Sequence, residues 1–176
     1  MTLETDMPSS LPWHTAAAEP DWDAVYTEQL PRVFNFFVYY VRDLATAEDL
    51  TSQTFEKAWR ARRRYRRDLA GFATWLLSIA RNVAADYWRA RREHAPLEDA
   101  ADVPALGTPE DHNAAESDRR RLAALVAALP ERERELLALK YGAGATNRDI
   151  AKLTGLSESN VGTIIHRAVQ TLRRDW

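Results

Sequence analysis

With 176 residues, 45% of them hydrophobic and 28% charged, the chain has the composition of a globular protein of one ordinary domain or two small ones, not of a disordered one. It contains no cysteine, which excludes disulfides, thiolate metal sites and thiol redox chemistry, and His14, His94, His112 and His166 have no ligand spacing, so no metal or cofactor is expected. The net charge of -2 hides an alternation: residues 1–55 sum to -7, 56–92 to +8, 93–118 to -8 and 119–176 to +5, so two basic blocks suited to a polyanion alternate with acidic ones.

Met1 to Pro20 mixes Pro, Ser, Ala and acids without periodicity and reads as a mobile tail. It has neither the basic start nor the apolar core of a secretory signal. No apolar run nears the roughly 20 residues that span a bilayer, so a cytoplasmic protein without membrane insertion is expected. From about Asp21 to Arg42 the positions Trp22, Val25, Tyr26, Leu30, Val33, Phe34, Phe37, Val38 and Val41 follow a helical stripe, which Pro31 must kink or divide. Thr46 reads as the N-cap of a second helix through Leu50, Phe55 and Trp59, with Glu48 and Asp49 in its first turn, where acids favour the dipole.

The stretch from Tyr65 to Arg92 reads as an arginine-studded entry loop and a third amphipathic helix starting near Gly71. Phe72, Trp75, Leu76, Ile79, Val83 and Tyr87 recur at helical spacing, while Arg81, Asn82, Asp86, Arg89 and Arg92 fall largely outside that stripe. Arg60, Arg62, Arg63, Arg64, Arg66 and Arg67 lie just upstream, interleaved with Trp59 and Tyr65. Cations grip phosphates and flat rings stack on unpaired bases. The plain alternative is a solvated arginine face beside aromatic residues that belong to the core.

Residues 94–116 change character, with three prolines, one glycine, acids and no Lys or Arg, and read as a linker. From Ser117 the helical pattern resumes with Leu122, Leu125, Val126 and Leu129, and Pro130 opens another helix at its favoured first position, carried by Leu136, Leu137, Leu139 and Tyr141 to Gly142. The segment beyond Gly142 has the punctuation of a helix-turn-helix: Thr146 caps Asn147 to Leu153, a turn with Gly155 comes next, and Ser157 caps the last helix. Ser157, Ser159, Asn160, Thr163, His166 and Arg167 are the residues of that helix and its cap able to enter a major groove. The fold class expected is all-α, two small helical domains joined by a flexible acidic linker.

AEDLTSQTFEKAW (Ala47 to Trp59) and TWLLSIARNVAADYWRARR (Thr74 to Arg92) resemble region 2 of the extracytoplasmic-function (ECF) sigma factors. LPERERELLALKYGAGATNRDIAKLTGLSESNVGTIIHRAVQTLR (Leu129 to Arg173) resembles their region 4. The resemblance implies a tail over 1–20, region 2 over 21–93, a linker over 94–116 and region 4 over 117–176. It implies a transcription initiation factor whose partners are core RNA polymerase and promoter DNA, with an anti-sigma factor left open as a third. By the resemblance, Glu48, Asp49, Gln53 and Phe55 would dock on the clamp helices of the largest polymerase subunit. Tyr65, Arg66, Phe72, Trp75, Arg81, Asn82 and Arg89 would hold the single-stranded -10 element. The last helix would read the duplex -35 element, and the helices before it would pack on the flap of the second-largest subunit. Gly162 and Ile164 stand where relatives often carry a basic residue, which implies fewer phosphate contacts from this helix.

A stand-alone helix-turn-helix regulator that binds duplex DNA without polymerase is the alternative reading; it leaves the acidic helix and the aromatic loop without a role. An enzyme is not expected, because the sequence has no nucleophile elbow, no phosphate-cradling glycine loop and no carboxylate pair at a useful spacing.

Overall fold

A computed structural model describes residues 21–66, 70–94 and 114–176. The expected N-terminal tail, most of the linker (95–113) and residues 67–69 of the arginine-rich loop lie outside them. All regular structure among the described residues is helical.

Helix α1 (Trp22–Val41) starts at Asp21, whose carboxylate accepts from the amides of Asp23 and Ala24. Pro31 lies inside it without dividing it, so of the kink or division expected from sequence the division does not occur. A proline costs a helix roughly 3 kcal/mol. Val33, Phe36 and Phe37, buried just beyond it, each gain about 1.5 to 3 kcal/mol by leaving water, so packing outweighs the lost bond. Arg42 then turns left-handed at φ 64°, its amide donating to the Val38 carbonyl, and ends the helix.

Helix α2 (Leu44–Ala61) begins one turn earlier than expected. Asp43, not Thr46, is its N-cap, accepting from the Thr46 amide at 2.8 Å. Glu48 and Asp49 therefore lie beyond the first turn, out of effective reach of the helix dipole. Buried Thr51 and Thr54 return their hydroxyls to the Ala47 and Leu50 carbonyls, so neither hydroxyl hydrogen is stranded. A 3-10 turn (Arg62–Arg64) follows. Helix α3 (Phe72–His94) buries Leu76, Leu77, Ala80, Val83 and Ala84. Phe72, Trp75, Ile79 and Tyr87 flank that stripe, partly exposed.

The second half starts with α4 (Ala114–Ala128), three residues before the expected Ser117. Helix α5 (Glu131–Leu137) runs into a π-helical turn (Ala138–Gly142), with Pro130 at the N-cap, one position before the expected N1. Helices α6 (Asn147–Thr154) and α7 (Glu158–Asp175) form the helix-turn-helix. Thr146 and Ser157 cap them as expected, and Gly155 makes the turn at φ 73°, where a side chain would be strained.

The two halves pack on each other. Helix α1 lies against α5 and the π-turn, and α3 against α6. A Cβ on Gly142 would sit 2.8 Å from the Asn35 carbonyl oxygen and 3.2 Å from the Phe36 Cα, so glycine is what lets the two backbones approach.

Candidate nucleic-acid interface

An aromatic cluster lies where α2, Tyr65 and the start of α3 meet. Tyr65 lies 5.2 Å from Phe72 and 5.1 Å from Trp75, and Phe72 lies 5.2 Å from Trp75. Trp22, from the start of α1, meets Phe72 at 5.6 Å and Trp59 at 5.3 Å, both edge to face. These are the offsets that ring quadrupoles favour. The Tyr65 hydroxyl donates to the Ala70 carbonyl, joining the residues on either side of 67–69. Tyr65, Phe72 and Trp75 are only partly buried, so each ring has a packed surface and an open one. Trp59 is 48% exposed, with the Arg62 guanidinium 4.0 Å over its ring, a cation-π pair at the rim. Arg66 is exposed at the loop.

Trp75, Asn82 and Arg89 are spaced by seven residues, which on a helix places a ring, an amide and a cation along one face about 10 Å apart. Asn82 and Arg89 are exposed, and Arg89 pairs with Asp86 at 3.0 Å. Arg81 points elsewhere. Its Nε donates to Glu135 Oε1 at 2.7 Å and its Nη1 to the Leu153 carbonyl, both in the second half. With Asn82, Ala85, Tyr40, Glu131 and Glu135 it lines a cleft of about 390 Å³ between the halves. The Tyr40 hydroxyl donates to Glu131 Oε1. Burial, then the charges of Glu135 and Glu131, push its pKa up, so it stays protonated.

On α7, Ser159, Asn160, Thr163, His166 and Arg167 are all exposed, while Val161, Ile165 and Ala168 are buried. The five therefore form one continuous polar face. Ser157 is committed to capping: its Oγ accepts from the Asn160 amide at 3.2 Å. Gly162 and Ile164 are both partly buried, Gly162 with its would-be Cβ 3.4 Å from the Asn147 side chain and Ile164 against the core. Gly162 thus lies where α7 crosses α6, and Ile164 on the core side of α7.

Glu48, Asp49 and Gln53 are exposed on α2, whereas Phe55 is partly buried with its ring 4.7 Å from Tyr26. Glu48 also lines a groove of about 450 Å³ with Tyr26, Leu30, Pro31, Phe34 and Ser52. An apolar floor with an acidic rim can receive an amphipathic, basic helix.

Sequence reasoning missed the residues that join the halves. Arg32 Nε donates to the Ala143 carbonyl at 2.8 Å, and Thr74 Oγ1 meets Asp149 Oδ1 at 3.3 Å. Glu135 is one of several charges in a helix whose sequence gives no sign of which residue faces α3. A lone small residue, Gly142, was the nearest thing to a signal.

Two family models match the chain in order. Sigma-70 region 2 covers residues 25–94, and Sigma-70, region 4 covers residues 119–172. Among curated relatives, the RNA polymerase sigma factor CarQ of Myxococcus xanthus is 33% identical, over 89% of this chain and 89% of its own. The probable RNA polymerase sigma factor RfaY of Xanthomonas campestris and the ECF RNA polymerase sigma factor BldN of Streptomyces coelicolor are each 31% identical over 99% and 90% of this chain. The chain spans only 45% and 61% of those two. Among solved structures, the sigma factor RpoE in complex with the anti-sigma factor NepR from Bartonella quintana superposes with a TM-score of 0.68 at 23% identity, over 88% of this chain and 96% of that one. CnrH in complex with the cytosolic domain of CnrY gives 0.59, also at 23%, over 87% and 83%. At that identity the two structures bear on the fold.

Proposed function

Because the chain belongs to the sigma-70 family, in its extracytoplasmic-function branch, we propose that it joins core RNA polymerase in the cytoplasm and directs it to a promoter, where it helps separate the strands. Region 2 is assigned to 21–93, the linker to 94–116 and region 4 to 117–176. Glu48, Asp49, Gln53 and Phe55, beside the groove on α1 and α2, meet the clamp helices of the largest subunit. Tyr65, Arg66, Phe72, Trp75, Arg81, Asn82 and Arg89 hold the separated -10 strand. The exposed face of α7 reads the -35 duplex, with Ser157 holding the helix start in shape, and the helices before it pack on the flap of the second-largest subunit. An anti-sigma factor is a further partner of this reading; the RpoE and CnrH structures each hold a second protein.

The observation that carries the proposal is the pairing, in one chain, of a partly open ring cluster beside a basic helix with a helix-turn-helix whose recognition face is unobstructed. Strand separation makes no covalent bond; it needs a surface that offsets lost stacking. Each base stacked on an aromatic ring contributes about 1 to 3 kcal/mol, and a flipped base costs a few. The mechanism is binding and positioning, without a catalytic residue.

Gel filtration with core polymerase, followed by run-off transcription from genomic fragments, tests the proposal. Co-migration and new start sites are expected. A chain that stays apart from polymerase at micromolar concentration in moderate salt, yet binds duplex DNA, would instead be a stand-alone regulator.

A further inference from the structure

Resting on that reading, we infer that Trp59 and Arg62 form one further position of the separated-strand site, a stack that takes an unpaired base beside those held by Tyr65, Phe72 and Trp75. The two residues come from the end of α2 and the start of the 3-10 turn. Arg62 follows Trp59 by three positions, close to one helical turn, so both side chains rise on the same face.

The stack is formed before any strand arrives. The Trp59 carbonyl, in the last turn of α2, accepts from the Arg62 amide and from Arg62 Nη1, the latter at 2.9 Å. A cation there also meets the negative end of the helix dipole. Tied to the backbone in this way, the guanidinium carbon lies 4.0 Å from the centre of the Trp59 ring. Trp22 meets the same ring edge to face, at 5.3 Å and 83°. A cation and a second indole thus hold Trp59, yet it stays 48% exposed. A lone apolar side chain at a surface means little. A ring fixed from two directions with half its area open is a rigid flat surface that has little freedom left to lose on binding.

Both members suit a base. Indole rings and guanidinium planes each stack on the π-face that every base carries. The surroundings select a polyanion: Arg60, Arg63, Arg64 and Arg66, all exposed, adjoin the stack in the chain. An apolar protein surface docking there would have to take water from those cations, whereas a nucleic-acid strand brings a phosphate with each base. Trp22 sets the place on the strand. It lies edge to face with Phe72 at 5.6 Å as well as with Trp59, so a single indole separates the added position from the rings already assigned.

The test uses the full chain bound to core polymerase and a promoter fragment recovered by run-off transcription. Bromodeoxyuridine, placed at one position at a time along the separated strand, is photo-crosslinked and the modified peptide is mapped by mass spectrometry. One position is expected to mark Trp59. Trp59→Ala is expected to shorten the lifetime of the open complex about tenfold, the loss of one stacked base. Arg62→Gln should shorten it less, and Trp59→Phe, which keeps a ring, should stay within about threefold of the parent. Co-migration with polymerase should be the same for all. Should Trp59→Ala lose helix content, Arg62→Gln and the crosslink in the parent decide. No crosslink at Trp59 from any position, or variants with the lifetime of the parent, would overturn the stack. A parent that does not join polymerase refutes the sigma assignment itself, and the labelled strand offered to the chain alone then judges the stack by the same crosslink.

Discussion

The rings of Tyr65 and Trp75 meet at 5.1 Å between centroids and 44° between planes, so the side chain proposed as a base platform is also a wall of the aromatic cluster. Function and packing share one residue, and substitutions there have to separate the two.

Trp75→Ala should cost about 2 kcal/mol of stability, less than a fully buried tryptophan because part of the ring is already in water. It should abolish promoter opening. Asn82→Ala, at an exposed position, should leave stability within about 0.5 kcal/mol and still lose opening. Permanganate footprints with core polymerase measure opening, and gel filtration measures assembly. Unchanged footprints in Asn82→Ala would contradict its assignment, and Trp75→Phe, which keeps a ring, should restore part of the signal.

Asn160→Ala and Arg167→Ala should each weaken specific duplex binding by roughly 1 to 3 kcal/mol. Neither side chain is needed for the fold, since both project from the exposed face of α7 and the cap bond uses only the Asn160 amide. Titration against specific and scrambled duplexes separates base readout from phosphate grip. Equal losses on both would mean that no base is read.

The Asp43 and Asp149 carboxyls are both held below the ordinary carboxylate value, Asp43 chiefly by hydrogen bonds from Thr46 and Asp149 chiefly by the Thr146 hydroxyl. With the folded pKa depressed, their stabilisation is complete above the unfolded value of about 4 and is lost as pH falls through the folded one. Melting temperature should therefore be insensitive to these groups between about pH 5 and 7 and decline below about pH 4. The double variant Asp43→Asn, Asp149→Asn keeps capping groups without the titration. It should lose less on going from pH 7 to 3.5 than the parent; an identical decline would mean that neither carboxyl governs the acid limb.

Arg42 combines a left-handed backbone at φ 64° with a buried guanidinium whose Nη1 has no partner. Burial and the nearby Arg134 charge lower its pKa, a sign that the cation is uncomfortable there. Arg42→Gly should remove both penalties and raise stability by about 1 kcal/mol, since a side chain in this region costs roughly that much. Thermal melts read the change. A drop would mean that the stem packing of Arg42 matters more than its charge and backbone.

Much of the fold was legible in the sequence because it rests on short-range rules. Helical periodicity, the Thr146 and Ser157 caps and the Gly155 turn involve residues a few positions apart, so the helix-turn-helix and the open face of α7 followed from local pattern. Two local readings were decided by neighbouring residues. Asp43 took the cap that Thr46 was expected to make, and Pro31 was absorbed into α1 by the side chains buried after it.

The tertiary structure alone decided what surrounds the site. Trp22 joins a cluster whose other rings come from residues 59–75, Arg32 bonds a carbonyl 111 positions away, and Arg81 turns from its own helix to a glutamate 54 positions on. Such contacts have no spacing to betray them: they depend on the summed packing of both halves, and a single exposed-looking charge in Glu131–Leu137 carries no mark of the partner it will face. Sequence thus determined the helices and their exposed faces, and the packed chain decided that Arg81 is paired with Glu135 and the Leu153 carbonyl.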